Sequence, residues 1–360
     1  MLILNRIRLI HFKNYPQAEF NFDQQVVAIT GQNGKGKTNL LEAIHYCCLA
    51  KPYFGSSDQL TTMFGKEGFR IEGYFLLNDQ TRDVVCVNRA NKKELSLNGV
   101  MYEKFSQHIG LLPLVVIAPD DIELVTGLAE VRRKFVDTLL CQLNPDYLQQ
   151  LIKYNKLLQQ RNSQLKLMGA NPSAGFEVLN ILDEQIVPAG NNIYAQRKAL
   201  LEKMIPLAGS FYRKIAGNDE NAYLSYQSQL EKVSFKELLD AGREKDIFLQ
   251  RSNYGIHRDD LLLMLETKLF RHIASQGQRK SLLFALKLAE FEMLKESKGF
   301  APILLLDDVF EKLDGIRMNH LLEWVCSDNE GQVFITDTHR QRLEEAFDSA
   351  DVNFQLIELE

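Results

Sequence analysis

Gly31-Gln32-Asn33-Gly34-Lys35-Gly36-Lys37-Thr38, followed by Asn39, is the stretch on which the reading of this chain turns. It fits G-x-x-x-x-G-K-[ST]. In that pattern glycines let successive backbone N–H groups turn inward around a phosphate, Lys37 reaches the β and γ phosphates, and Thr38 offers a hydroxyl to Mg²⁺. A glycine-rich surface turn would share the spacing. Here, however, Val26-Val27-Ala28-Ile29-Thr30 leads in as a buried strand, and Leu40, Leu41, Ile44 and Leu49 follow at helical spacing. The helix then adds the partial positive charge of its N-terminus.

Working outward, residues 3–12 and 20–30 read as two strands joined by a polar turn at Lys13-Asn14-Tyr15-Pro16. Residues 70–118 alternate in strand fashion, with a hairpin turn at Asn98-Gly99. They close on Leu114-Val115-Val116-Ile117, a strand apolar on both faces. From about 120 to 250 the texture changes: Leu139, Leu143, Tyr147, Leu148, Leu151, Ile152, Leu157 and Leu158 recur three and four apart. This predicts a helical insert, with breaks at Asn144-Pro145, near residues 169–175, and at Pro188 and Pro206. Strand character returns at 261–265, residues 281–294 read as an amphipathic helix, and further strands fall at 303–306 and 332–336. The expected domains are a split head, 1–118 and 254–360, and an insert, 119–253.

The chain's 360 residues carry 42 Lys+Arg against 47 Asp+Glu, a net charge of −5, so no global positive field draws it to polyanions. Any nucleic-acid contact must come from a local patch. Arg132-Arg133-Lys134 and Lys92-Lys93 are the candidates, though clusters this short also serve as plain solvated faces. Arg6 and Arg8 interrupt the N-terminal apolar run too early for a secretory signal. No apolar stretch approaches the ~18 residues of a membrane span. The five cysteines, Cys47, Cys48, Cys86, Cys141 and Cys326, are odd in number and lack C-x-x-C spacing. That argues against a disulfide framework or zinc site and for a reducing cytoplasm.

Ile303-Leu304-Leu305-Leu306-Asp307-Asp308 delivers two carboxylates to the carboxyl end of an apolar strand, where ligands lie in a parallel α/β sheet. Asp307 would hold Mg²⁺, and Asp308 would orient or deprotonate the attacking water, so Lys37 and Asp308 are the catalytic candidates. Ser275-Gln276-Gly277-Gln278 stands immediately before the 281–294 helix. Ser275 with Gln278 matches a capping box, and the same residues fit the S-x-G-Q signature of ABC-type ATPases. In that reading Ser275, Gly277, Gln278 and a helix N-terminus face a γ-phosphate held by a second subunit. A head-to-tail homodimer with two sandwiched ATP molecules follows, bound by ATP and released by hydrolysis. The two phosphate-site motifs stand ~270 residues apart, far more than a compact fold of ~150 needs, and the excess is the insert.

Several further segments occur in one order: Phe12-Lys13-Asn14-Tyr15, Leu41-Glu42-Ala43-Ile44, Arg132-Arg133-Lys134-Phe135-Val136-Asp137, Gln160-Arg161-Asn162, Gly255-Ile256-His257-Arg258-Asp259-Asp260-Leu261, and Asp307-Asp308-Val309-Phe310-Glu311-Lys312-Leu313-Asp314. With them the sequence resembles, from end to end, the RecF family of ABC-type ATPases in bacterial recombinational repair. The resemblance implies an α/β ABC-type ATPase head, a P-loop NTPase with mixed β-sheets flanked by helices, split by an inserted helical arm. It implies binding of gapped or single-strand/duplex DNA, partnership with RecR and RecO in loading RecA, and roles in replication-fork recovery and the SOS response. It places Asp314 in a loop against the opposing subunit and Lys13 and Asn14 near the nucleotide, although an ordinary β-turn also accounts for the latter. An aspartate at position 308, where ABC ATPases usually carry glutamate, implies slow turnover, and the resemblance implies a weak, DNA-stimulated ATPase. His339 falls about one position late for a γ-phosphate sensor and is left without a role. His257 and Arg258 either tie insert to head or belong to a local ion-pair network. A small-molecule P-loop kinase would leave the S-x-G-Q segment and the insert unexplained. A transporter ATPase would carry a short helical subdomain before the signature, and a chromosome-structuring SMC protein would need sustained heptads.

Overall fold

Five consecutive buried residues make β3 (Val26–Thr30) a strand that must be covered on both faces. The computed structural model, which describes residues 1–55, 57–90, 92–170, 175–309, 324, 330–349 and 352–359, supplies that cover. By its internal packing the chain divides into two units. The first contains Met1–Ile122, Ser210–Asn218 and Ser275–Glu360; the second contains Glu123–Gly209 and Asp219–Ala274.

In the first unit, β1 (Leu2–Phe12) and β2 (Tyr15–Asn21) form a hairpin. β4 (Gly68–Leu77), β5 (Gln80–Arg89), β6 (Lys92–Leu97) and β7 (Val100–Met101) extend it into a six-stranded antiparallel sheet, ordered β2-β1-β4-β5-β6-β7. Asn98 and Gly99, at φ 50° and 79°, make the two-residue turn between β6 and β7. The second sheet is parallel: β14-β3-β13-β12-β8, with β8 (Leu114–Ile117), β12 (Ile303–Leu306), β13 (Val333–Asp337) and β14 (Phe354–Glu358). Gln332 joins the sheets, accepting from Leu4 N at 2.7 Å and donating to Leu4 O at 3.1 Å. α1 (Lys37–Leu49) is buried along almost its whole length. The strand expected over 20–30 is thus two strands in two different sheets.

The second unit holds α2 (Glu123–Thr126), α3 (Ala129–Leu143), α4 (Pro145–Ala170) and α5 (Phe176–Ala216), whose last turns belong to the first unit. It continues with β9 (Ala222–Gln227), α6 (Phe235–Leu249), β10 (Asp260–Leu265), β11 (Lys268–Leu269) and α7 (Phe270–Ile273). Pro145 opens α4, which ends at Ala170, and α5 begins at Phe176, so the helices part near the predicted break at 169–175. Pro188 and Pro206 do not break α5, which runs through both for 41 residues. Each proline costs about 3 kcal/mol in a helix interior. Burial of Ile186, Ile193, Leu200, Leu201, Met204, Phe211 and Tyr212 along the same helix offsets it.

The head was expected to resume at residue 254, yet 219–274 packs with the second unit. Among the described residues β10 pairs only with β9 and β11, so the segment forms its own antiparallel sheet there. Two further elements close the first unit: α8 (Gln276–Lys298) and α9 (Arg340–Ser349). α8 is not amphipathic over its middle, for every residue from position 281 to 291 is buried. Among the described residues no helix is long and apolar enough to cross a membrane.

Candidate nucleotide site

The loop between β3 and α1 opens at the carboxyl edge of the parallel sheet. Gly36 sits at φ 110° as the N-cap of α1, and no side chain caps the helix, so its leading N–H groups point at whatever occupies the loop. A β-carbon at Gly36 would lie 2.7 Å from both Asn14 Nδ2 and the Tyr15 hydroxyl. That closeness is set by hydrogen bonds: Tyr15 OH donates to Gly36 O at 3.0 Å, Asn14 Nδ2 to Lys35 O at 3.1 Å, and Asn39 Nδ2 to Asn14 Oδ1 at 2.8 Å. The β1–β2 turn is therefore hydrogen-bonded to the loop between β3 and α1 and braces it. Lys13, at φ 51°, pairs with the buried Glu42 of α1 at 3.0 Å. Burial raises the Glu42 carboxyl's pKa and Lys13 pulls it back. Lys37, itself buried, donates to Gly31 O at 2.8 Å and Gln32 O at 3.4 Å, which folds its ammonium over the loop. Gln32, Asn33, Gly34 and Lys35 are exposed.

Across from the loop, the end of β12 presents Asp307. Thr38 Oγ1 lies 3.0 Å from both Asp307 oxygens, and Thr336, at the end of β13, donates to Oδ1 at 2.8 Å. Burial raises the Asp307 pKa, against the pull of Thr336, Thr38 and Lys37. A divalent cation beside it would favour the ionised form. Hydroxyl and carboxylate oxygen are the hard donors Mg²⁺ takes when substrate phosphates complete its shell. Among the described residues no three His, Cys, Asp or Glu side chains converge into a dedicated metal cage. The Thr38–Asp307 pair thus fits Mg²⁺ carried with a nucleotide. Asp308 follows at φ 44°, a left-handed conformation, and its N–H donates to Thr336 Oγ1 at 2.9 Å. One hydroxyl thereby orients both aspartates. Thr336 escaped the sequence reading, which saw only one more strand at 332–336.

Ser275 caps α8. Its Oγ accepts from Gln278 N at 3.2 Å, and Gln278 Oε1 accepts from Ser275 N at 2.9 Å, a complete capping box. The hydroxyl's own proton is not spent on the cap. Ser275 is exposed, Gly277 and Gln278 are partly so, and no hydrogen bond among the described residues joins them to the phosphate loop. Asp314 lies outside the described residues. His339 is exposed just past β13, and its N–H donates to Asp337 Oδ1 at 2.7 Å.

The basic clusters considered for DNA are largely committed elsewhere. Arg132 is buried, bidentate to Asp260 at 2.7 and 2.9 Å, and donates to Gly127 O at 2.9 Å. Arg133 donates to Asp259 O at 2.6 Å, and burial lowers its pKa. Lys93 pairs with Asp58 at 3.1 Å and sits over the Tyr46 ring. Only Lys134 and Lys92 are exposed, and Lys92 faces Glu94 at 3.5 Å.

The insert's motifs meet one another inside the second unit. Arg197 holds Asp137 at 2.9 and 3.0 Å, Asp259 at 3.1 Å and Ile256 O at 2.7 Å. Arg161, fully buried, holds Asp183 and Asp246 at 2.6 Å each and Ser252 at 2.8 Å. His257 bonds Tyr154 at 2.8 Å, and burial lowers its pKa to about 4, so it is neutral at physiological pH. Arg258 is exposed and donates to Ser252 O at 3.4 Å and Asn253 Oδ1 at 3.3 Å, so His257 and Arg258 border these ion pairs through hydrogen bonds within the second unit.

A family model described as the RecF/RecN/SMC N terminal domain matches residues 3–357. The DNA replication and repair protein RecF of Flavobacterium johnsoniae is 40% identical over 357 residues, covering 99% of each chain. A solved structure of the recombination mediator protein RecF-ATPrS in the RecFOR pathway superposes with a TM-score of 0.88 at 27% identity, covering 100% of this chain and 96% of that one. The Smc head domain of Pyrococcus furiosus, solved with an extended coiled coil and bound to the C-terminal domain of ScpA, superposes at 0.57 with 14% identity, covering 100% and 94%, and shows likeness of fold alone.

Proposed function

The chain belongs to the RecF family, within the RecF/RecN/SMC N-terminal domain grouping, and from that premise we propose an ATP-gated clamp on DNA in recombinational repair. The observation that carries the reading is Thr38 Oγ1 at 3.0 Å from both Asp307 oxygens, with Lys37 folded over the glycine loop beside them. Those residues bind a nucleoside triphosphate: loop N–H groups and Lys37 hold the phosphates, and Thr38 with Asp307 would hold Mg²⁺, which neutralises phosphate charge when bound. Asp308 orients the attacking water; its side chain is shorter than the usual glutamate, which supports slow turnover, and DNA stimulates it.

Two copies close head to tail. Ser275, Gly277 and Gln278 of each face the triphosphate on the other's loop at residues 31–39, and Asp314 contacts the opposing subunit. In the cytoplasm the closed dimer retains gapped or single-strand/duplex DNA, and with RecR and RecO promotes RecA loading, fork recovery and the SOS response. Its output is assembly, with hydrolysis as release.

The test is filter retention of gapped DNA with and without ATP, paired with light scattering. Lys37→Ala or Asp307→Ala should abolish nucleotide-dependent retention. Ser275→Arg should leave ATP binding by the monomer intact and block dimerisation. Full retention by the first two variants would overturn the clamp, and loss of ATP binding by the third would overturn the trans role of the signature.

A further inference from the structure

The small antiparallel sheet of the second unit, ordered β11-β10-β9, ends on β9, and among the described residues no strand pairs with its far edge. β9 reads Ala222-Tyr223-Leu224-Ser225-Tyr226-Gln227 and pairs with β10 in unbroken register. It carries no charge, no proline and no bulge, the devices that usually blunt an edge. Alternate backbone N–H and C=O groups along it are left without a strand partner.

The side chains show the same gap. Leu261 lies opposite Tyr226, Leu263 opposite Leu224 and Leu265 opposite Ala222, so these six share one face of the sheet. The three β10 leucines are buried, whereas Ala222, Leu224 and Tyr226 are only half-buried. Beside them α5 and β9 bound an open cleft of about 150 Å³, with Tyr194, Leu201, Ile205 and Tyr226 as its apolar wall. A group as large as benzene fits such a volume. The rings of Tyr194 and Tyr226 stack at 6.0 Å, and the Tyr226 hydroxyl is turned inward to donate to Asp259 at 2.6 Å. Glu202, Glu231 and Lys198 line the same cleft, all exposed, and no ion pair among the described residues joins any of them. Two carboxylates against one ammonium leave the rim acidic.

We propose that β9 and the adjoining face of α5 form a docking groove for an extended peptide of another protein, with alternating basic and aliphatic side chains, that adds to the sheet as a fourth strand. One aliphatic side chain enters the cleft. The residues two places to either side lie on the same face, roughly 7 Å away, and bring their basic groups to Glu202 and Glu231. Main-chain bonds to β9 hold the peptide, while the cleft and the two carboxylates select it. The charge decides among occupants: the acidic rim repels a nucleic-acid backbone, and β9 of a second copy would bring no basic residue to the carboxylates. The groove lies within the second unit and uses none of the nucleotide-site residues.

The probe is the peptide acetyl-Thr-Lys-Thr-Leu-Thr-Lys-Thr-amide, titrated onto the full chain by calorimetry while amide hydrogen exchange is followed across residues 222–227. Binding should slow exchange in β9. Glu202→Gln/Glu231→Gln, at two exposed positions, should keep its melting temperature and bind about 5-fold more weakly, a few-fold for each exposed charge pair. Serine in place of the peptide's leucine should cost about 10-fold or more, the worth of burying that side chain. Glutamates in place of its lysines should abolish binding.

A chain that binds no peptide, or binds it while β9 exchanges as before, overturns the added strand. Equal binding of the acidic peptide, or undiminished binding by the double variant, overturns the charge selection and the proposal with it. Slowed β9 exchange that follows protein concentration without peptide would make the edge an interface between copies, and slowing by gapped DNA would make it a nucleic-acid surface. Either result overturns the peptide groove. None of these readouts needs ATP, so failure of the proposed function leaves the test standing.

Discussion

Thr336→Val isolates a hydroxyl that holds both aspartates of the candidate site. The substitution keeps the branched shape at a fully buried position and removes one donor and one acceptor. On the donor side Asp307 loses its 2.8 Å bond, which for a charged partner is worth about 1.5–3 kcal/mol. On the acceptor side Asp308 N loses its 2.9 Å partner, which costs about 1–3 kcal/mol if nothing replaces it. Thr38 still bonds both Asp307 oxygens, and Asp308 is only partly buried, so the lower ends apply and the sum is about 2.5 kcal/mol.

That free energy can surface in two places. If the rest of the fold holds the end of β12 in place, the aspartates drift from their working positions, and about 2.5 kcal/mol corresponds to a factor of ~70 in turnover. If the strand end relaxes, the same amount appears as lost stability. Phosphate release under saturating ATP and urea unfolding without nucleotide should be measured together, with the two losses summing to the figure above. Thr336→Ser keeps the hydroxyl and should stay close to wild type in both. The reasoning fails if the valine variant matches wild type in turnover and unfolding midpoint, or if serine is as damaging as valine.

Arg132→Ala should destabilise the protein by ~3 kcal/mol, because it strands Asp260 without its buried bidentate partner. The salt dependence of DNA binding should not change, and a shallower slope would restore Arg132 as a phosphate contact. Gly36→Ala should abolish ATP binding while the protein stays folded, since the new β-carbon collides with Asn14 and Tyr15 at a φ that disfavours side chains; retained affinity in a nucleotide titration would refute the brace. Asp307 has a raised pKa in the folded state, so the folded chain binds that proton more tightly than the unfolded chain. Its contribution to stability is greatest at acid pH and declines as pH rises from the ordinary carboxylate value of about 4 through the raised one. Asp307→Asn should flatten that part of the unfolding midpoint against pH, and an unchanged profile would refute the assignment.

What the sequence disclosed depended on how locally each feature is encoded. The phosphate loop was legible because its glycines, lysine and threonine are consecutive and lie between an apolar strand and a periodic helix. Asp307 and Asp308 were legible because a run of four apolar residues has to end somewhere, and its end carries the charge. Thr336 was not, since a threonine in a β-branched strand is what strand propensity already expects, and its value comes from a neighbour across a parallel pairing. The same holds for Gln332, whose amide closes on Leu4 more than three hundred residues away. Arg132 and Arg133 misled because adjacent charges look solvated until a partner as distant as Asp260 is known. Pro188 and Pro206 misled because local propensity was read without the burial that overrides it.

Ser275 shows how one local geometry can serve two purposes. A serine and a glutamine three residues apart close a capping box, and that alone stabilises the start of α8 by about 1 kcal/mol. The box also fixes the first turn of the helix as a rigid, exposed set of N–H groups with the serine proton still available, which is what an anion arriving from another molecule would require. On the proposed reading, cap and ligand site would be the same geometry at two stages of assembly. A function that appears only when a second copy supplies the phosphate leaves no imprint on the isolated chain beyond an exposed, well-formed helix start.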